Sequence, residues 1–359
     1  MRAARWTGRR AITVQVVPVP RPRTHEALIR VLWTGVCGSD VEEYLHGPVV
    51  IAGEITLGHE IVGTVEAAAE DGSGPSAGTV VVVDVVTGCG RCYWCERHEE
   101  GLCAELSVTG QHVDGGLAEF VVGRADRLIP VPVGVPPVHA ALAEPLAVAV
   151  RAARKAGALI GRGALIVGGG TVGMLLAQVL KAGGASPVVV VEPATSRRRI
   201  IESWGIATAW ADTAAERAEA VRGLFPDRGV DIVAECSGRK GMTAEAVRLV
   251  RRGGTVILLG VLPEEEKVDV LDVVLGEKVI VGSAAHMWDD DVSVGIEMLA
   301  AGLVDVAPMI THREHLSNVS GAFEMLTEQG NTVIKMVIGP DGDGAAEGPG
   351  SAGVREGTA

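Results

Sequence analysis

Cys89, Cys92, Cys95 and Cys103 stand in the pattern C-x2-C-x2-C-x7-C, inside GCGRCYWCERHEEGLC. Four thiolates on so short a loop can close a tetrahedron around one Zn²⁺, and a site closed by four protein ligands leaves no position for substrate, so the expected role is structural. Disulfides compete poorly, because adjacent C-x2-C pairs span too little chain for unstrained bridges. An iron–sulfur cluster is the other chemistry that thiolates suit. A fifth cysteine, Cys37 in GVCGSD, is followed by His59 and Glu60 in GHE. Each reads as ordinary on its own: a lone cysteine is usually a small buried hydrophobe, and Gly-His-Glu a surface turn. Together they offer thiolate, imidazole and carboxylate, a Zn²⁺ set that keeps a fourth position for water or substrate.

A second kind of chemistry is written at Gly168, Gly170 and Gly173, which form G-x-G-x-x-G between the apolar run ALIV and a helical pattern opening at Thr171 and Val172. Alone the motif is weak. Between a strand and a helix it is the turn that lets backbone approach a pyrophosphate resting on a helix N-terminus. Glu192 ends the next apolar run, where an acid accepts from a ribose 2′-hydroxyl and repels a 2′-phosphate, which favours NAD(H). Arg197, Arg198 and Arg199 keep NADP(H) as the alternative, since an arginine here can hold that phosphate; it can also stack on adenine or lie on a solvated helix face.

Two kinds of framework must position these groups. From Met1 to about Val122, short β-like runs (27–32, 61–67, 80–86 and 118–122) alternate with Gly, Pro and polar turns. After Glu144 the rhythm changes to strands at 164–167, 188–192, 231–234 and 255–259 with helices at 171–181 and from Thr195, the βαβ pattern of a parallel sheet. Beyond Val304 a helix at 318–327 and a strand at 333–338 are too little for a domain and should pack back on the first half. The expected division is 1–150 with 304–340 as one domain, 151–303 as a doubly wound domain, and a Gly-rich tail at 341–359 without the apolar residues to order it.

The order GVCGSD, TLGHEIVGTV, the four-cysteine loop, DGGLAEFVV, AEPLAVAV, GGGTVG and DIVAECSG resembles the medium-chain dehydrogenase/reductase superfamily over about residues 1 to 340. EYLHGP and THREHLSNVSGAFEML look like its butanediol/sorbitol, or polyol, dehydrogenase branch. The resemblance implies an α/β protein with a GroES-like β-rich catalytic domain and a Rossmann domain, carrying one catalytic and one structural Zn²⁺. It places Cys37 and His59 on the catalytic zinc, with Glu60 and Glu144 supplying carboxylates, either of which can take the inner position. Asp40 falls where a carboxylate orients the ligating histidine, and Ser39 on the hydroxyl that takes the substrate proton. One departure stands out: five residues after the first zinc cysteine, where the family carries a proton-relaying histidine, this chain has Glu42. His46 lies within the EYLHGP match and reads as a pocket or loop residue.

The expected activity is hydride transfer between NAD(H) and a secondary alcohol or ketone of the diol, polyol or cyclitol class. An amino-alcohol or aminocyclitol dehydrogenase is the alternative, for which Glu42, Glu43 and Asp114 would draw an amine. A non-catalytic cofactor-binding relative or a zinc-free reductase would not need Cys37, Ser39, His59 and Glu144 together. A net charge of -13 repels nucleic acid. No run approaches the roughly 20 apolar residues of a membrane span, and the N-terminus lacks a secretory pattern, so a cytoplasmic protein is expected. The resemblance to the polyol branch implies a homo-oligomer, dimer or tetramer.

Overall fold

The chain is described by a computed structural model over residues 1–50, 53–226, 229–262, 264–328 and 332–341. Its first half is built of short strands: β1 (Arg2–Gly8), β2 (Ala11–Val16), β3 (Glu26–Gly35), β4 (Ile55–Thr56), β5 (Glu60–Ala67), β6 (Val80–Val83), β7 (Val86–Thr87), β8 (Ser107–Val108), β9 (Phe120–Arg124) and β10 (Leu128–Pro130), interrupted by helix α1 (Gly38–His46). Helices α2 (Pro137–Ala140) and α3 (Ala143–Lys155) lead into an alternating series: β11 (Ala164–Val167), α4 (Thr171–Ala182), β12 (Val188–Val191), α5 (Thr195–Ser203), β13 (Ala207–Ala209), α6 (Ala214–Leu224), β14 (Val230–Glu235), α7 (Met242–Leu249), β15 (Val250–Leu258), α8 (Val270–Leu275) and β16 (Val279–Gly282). A π-helical turn at Trp288–Val292, α9 (Ser293–Ala300), β17 (Ile310–His315), α10 (Val319–Glu328) and β18 (Lys335–Gly339) close the chain.

The alternating series forms one parallel sheet in the order β13-β12-β11-β14-β15-β16, the doubly wound arrangement expected. Its central strands β11, β12 and β14 are buried at every residue, because helices cover both faces, and this is why β11 and β12 read as unbroken apolar runs, while β14 also buries Asp231 and Glu235. The other large sheet runs β10-β6-β5-β3-β18-β17, with β9 also on β3. There β18 pairs antiparallel with β3, Val337 opposite Gly35, so the C-terminal strands close onto the β-rich half.

Two elements depart from the expectations. The run 80–86 is not one strand: it breaks at Asp84, whose buried carboxylate accepts from the Val86 N–H at 3.2 Å and turns the chain. Helix α3, unmarked by periodicity, is buried around most of its circumference. The tail 341–359 lies outside the described residues except for Asp341, whose carboxylate pairs with Arg2 at 2.7 Å and accepts from the Ser317 hydroxyl at 2.6 Å.

Candidate metal and dinucleotide sites

Three neighbouring strands converge on the first site. β3 ends at Gly35, directly opposite Glu60 at the start of β5, and Lys335 opens β18 on the other side of β3. Gly35 admits no side chain, because a Cβ there would lie 1.9 Å from Glu60 Oε2. Cys37 then precedes α1, with its backbone N–H donating to Asp40 Oδ2 at 2.9 Å. One ligand atom each from Cys37, His59 and Glu60 fall within 4.8 Å of one another, so the structure brings together three of the four expected ligands. Asp40 Oδ1 lies 3.5 Å from His59 Nδ1.

The charges here are strongly coupled. Lys335 Nζ donates to Glu60 Oε1 at 2.6 Å, to Oε2 at 2.8 Å and to the Val36 carbonyl at 3.0 Å, with Lys335 only 3% exposed. Burial pushes the Glu60 carboxyl above its ordinary range and Lys335 pulls it back only in part. For Lys335 burial opposes the charge, yet Glu60 and Cys37 outweigh it and hold the ammonium above its usual value. Burial likewise opposes charge on His59, and Asp40 and Cys37 override it, raising the imidazole well above its ordinary value. These donors fit a divalent metal: thiolate, imidazole and carboxylate are its usual partners, and His59 and Glu60 are buried beside Cys37.

Glu144, in the first turn of α3, is not part of that three-residue cluster. Its ion pair is with His286, whose Nδ1 lies 3.3 Å from Glu144 Oε1 while Nε2 lies 2.9 Å from Asp84 Oδ1. Burial works against the Glu144 charge, but His286 outweighs it, with His59 and Lys335 adding, so the carboxyl sits below its ordinary range. On His286 itself burial is overcome by Asp84 and Glu144, which push it up to about 10. Lys335 and His286 are site residues that the motifs did not mark.

In the cysteine lobe, one sulfur from each of Cys89, Cys92, Cys95 and Cys103 lies within 4.8 Å of the others. The Cys92–Cys95 and Cys89–Cys95 sulfur separations are 3.5 Å and 4.0 Å. They bracket the ~3.8 Å edge of a tetrahedron with ~2.3 Å Zn–S bonds. Backbone N–H groups of Cys89 and Glu105 point at Cys103 Sγ, at 3.4 and 3.3 Å, which suits a thiolate. The backbone N–H of Cys95 leads in drawing Cys92 down to about 7, whereas burial pushes Cys95 up to about 12. Gly88 must be glycine, since a Cβ would stand 2.5 Å from Cys95 Sγ.

The glycine turn divides its labour residue by residue. Gly168 has φ of 104°, and a Cβ on Gly173 would collide with the Gly168 carbonyl at 1.9 Å, so this glycine seats α4 against β11. Gly170 faces open space, the side from which a pyrophosphate can approach the N–H groups at Thr171 and Val172. Glu192, 3% exposed, accepts from the Gly169 N–H and the Ala194 N–H, both at 2.8 Å. Arg197 lies 4.0 Å from Glu192 and donates to the Val333 carbonyl at 3.2 Å, and the Thr171 hydroxyl donates to the Ile334 carbonyl at 2.9 Å. Arg198 donates to the carbonyls of Glu192 and Pro193 at 2.8 and 2.6 Å, so both arginines already hold backbone acceptors.

On α1, Ser39 and Glu42 are exposed, and Glu42 Oε2 is 3.9 Å from His46 Nε2 one turn on. The amine-attracting trio does not assemble. Glu43 is buried and accepts from the N–H groups of Val49 and Val50 at 2.8 and 3.1 Å, while Asp114 is spent on Arg5 and the Thr56 N–H, leaving Glu42 alone.

Comparison with known proteins agrees with this layout. Family models match for the alcohol dehydrogenase GroES-like domain over residues 23–133 and for zinc-binding dehydrogenase over 171–301. The chain is 31% identical over 316 residues to L-threonine 3-dehydrogenase of Pyrococcus furiosus, covering 86% of this chain and 90% of that one. It is 28% identical to sorbitol dehydrogenase of Bacillus subtilis, covering 95% and 98%. A zinc-binding dehydrogenase of Sinorhizobium meliloti 1021, solved with NADP, superposes with a TM-score of 0.88 at 30% identity, covering 94% of this chain and 99% of that one.

Proposed function

Because this chain belongs to the zinc-binding alcohol dehydrogenases of the medium-chain dehydrogenase/reductase superfamily, we propose that it moves hydride between NAD(H) and a secondary alcohol or ketone of the diol, polyol or cyclitol class. The observation that carries this reading is the buried convergence of Cys37, His59 and Glu60, each within 4.8 Å of the others by a ligand atom, in a chain that also holds a dinucleotide turn. Residues 1–150 with 304–340 form the catalytic domain and 151–303 the cofactor domain.

Cys37, His59 and one of Glu60 and Glu144 hold the catalytic Zn²⁺, which supplies Lewis acidity toward the substrate oxygen. The turn at Gly168, Gly170 and Gly173 would hold the pyrophosphate of a nicotinamide cofactor, which would supply the hydride donor or acceptor. Around them the chain's own groups do the positioning and the proton work. Asp40 orients His59. Ser39 takes the substrate proton, and Glu42 and His46, next along the same face of α1, pass it to water. The four cysteines of the lobe hold a structural Zn²⁺ that contributes to folding. Glu192 accepts from the ribose 2′-hydroxyl, and the engagement of Arg197 and Arg198 with backbone carbonyls favours NAD(H) over NADP(H).

The second reading, an amino-alcohol dehydrogenase, is favoured by the threonine dehydrogenase relatives. It is weakened by the local use of Glu43 and Asp114. One experiment separates the two: initial rates of NAD⁺ reduction by the zinc-loaded protein over vicinal diols, polyols, threonine and aminocyclitols. Turnover of diols or polyols above the amino alcohols supports the first reading, the reverse order replaces it with the second, and no turnover of any secondary alcohol removes both. A cytoplasmic setting would keep Cys37 and the four lobe cysteines reduced and available as ligands.

A further inference from the structure

His286 reaches Glu144 from the far side of the molecule. β16 ends at Gly282 in the parallel sheet, and the following segment carries His286 among acids of the β-rich half, where it is 1% exposed. Each ring nitrogen faces a carboxylate: Nε2 is hydrogen-bonded to Asp84 at 2.9 Å, and Nδ1 stands 3.3 Å from Glu144 as an ion-pair contact outside hydrogen-bond geometry, so the Asp84 bond sets the ring and the other nitrogen is left facing Glu144. Among the described residues this is the one ion pair that Glu144 makes.

The brace continues beyond Asp84. Arg127 lies 3.4 Å from Asp84 Oδ2 and 2.6 Å from Glu100 Oε1, with its guanidinium 4.5 Å from the centre of the Trp288 ring. Glu100 belongs to the cysteine lobe, and a Cβ on the neighbouring Gly101 would sit 3.5 Å from Ala285 Cβ, so the lobe backbone abuts the segment that carries His286. Ala285 has φ of 53°, a left-handed conformation that a non-glycine residue keeps only where its surroundings impose it.

We propose that His286 is a positioning residue that fixes the Glu144 carboxylate for the catalytic metal, with Asp84, Arg127 and the cysteine lobe as its abutment. The proposal rests on the reading of Glu144 as a carboxylate of that metal. A residue that orients a metal carboxylate is typically worth about 10- to 100-fold in metal affinity.

The test uses the zinc-loaded protein and its Co²⁺-substituted form, with dipicolinate as the competing chelator and metal counted per chain. His286→Phe should weaken retention of the catalytic metal by about 10- to 100-fold and shift the visible Co²⁺ bands, while the lobe metal stays bound. His286→Gln, which restores one donor, should recover part of the loss and serves alone if the Phe variant does not fold. Retention within twofold of wild type in the variants overturns the proposal, and so does parallel loss of both metals, which would make His286 a general packing residue. Glu144→Gln is the control on the underlying reading. If it weakens the metal and the His286 variants do not, the positioning role falls and the metal reading stands. If it leaves the metal unchanged, the reading itself falls, and the proposal with it.

Discussion

Lys335 carries its charge inside a strand whose neighbours are Ile334, Met336 and Val337, and it survives there because Glu60 takes its ammonium with both oxygens. Removing one partner of such a buried pair costs about 3–5 kcal/mol, since the other charge is left in low dielectric. Lys335→Met should therefore lower stability by about that much in urea unfolding, and adding Glu60→Gln should recover more than half. At Glu192, removal of the carboxylate takes away the group that repels a 2′-phosphate. Wild type should prefer NAD⁺ by at least about tenfold in kcat/KM, or ~1.4 kcal/mol, and Glu192→Ala should narrow that preference; a wild-type preference for NADP⁺ would hand the role to Arg197. Carboxylates and imidazoles can both relay protons as general bases. With His46 at 3.9 Å the pair can do what a single histidine does elsewhere. Glu42→Gln with His46→Asn should cut kcat for alcohol oxidation roughly 10- to 100-fold, with small buffer bases restoring part. Unchanged kcat and no buffer effect would return the relay to water. Cys37, His59 and Glu60 were legible because their types and motifs concentrate metal chemistry in few residues. Lys335 showed only as one charge in an apolar run, and His286 not at all, because its partner Asp84 is 202 positions away in sequence.

Among elements, the cysteine lobe and the β3/β5/β18 junction differ in what their metal does. The lobe has only short secondary structure and a few buried groups, so its shape depends on the four thiolates meeting. The junction is built from paired strands. Cys95→Ser should destabilise or aggregate the protein, while Cys37→Ser should leave a folded, inactive protein with one zinc fewer by metal analysis. Fewer than one zinc per chain in freshly purified wild type would count against both sites. The strands of the parallel sheet were readable because burial on both faces imposes continuous apolar runs. The break at Asp84 was not, because the buried carboxylate that turns the chain toward Val86 has its charge partners, Arg127 and His286, far away in sequence. Helix α3 escaped for a different reason: after Glu144 it runs through Pro, Leu, Ala and Val to Val150 before its next polar residue, Arg151, so its opening turns read as an apolar run.

Across the whole molecule one face is out of keeping with an acidic surface. On α8, Val270, Leu271, Val274 and Leu275 are 68%, 66%, 64% and 60% exposed, and β16 beside it ends the six-stranded sheet with Val279 53% exposed. A sheet edge next to a run of exposed aliphatics is a surface that single chains in water avoid. The expected assembly is a homo-oligomer joined here, and Leu271→Glu with Val274→Glu should shift the mass measured by light scattering toward the monomer; an unchanged oligomer would place the contact elsewhere. Another long-range link is far smaller. Val333 accepts from Arg197, Ile334 accepts from Thr171, and Lys335 grips Glu60, so three consecutive residues touch the neighbour of Glu192, the first turn of α4 and the carboxylate beside His59, the groups proposed to serve cofactor and metal. At ~3.3 Å of rise per residue, that stretch works as a gauge block of about 7 Å between two chemistries that must meet at one carbon atom. A single-residue insertion or deletion inside it would send Lys335 to the opposite face of β18, so the spacing of the two half-reactions is machined into an odd-or-even count of residues.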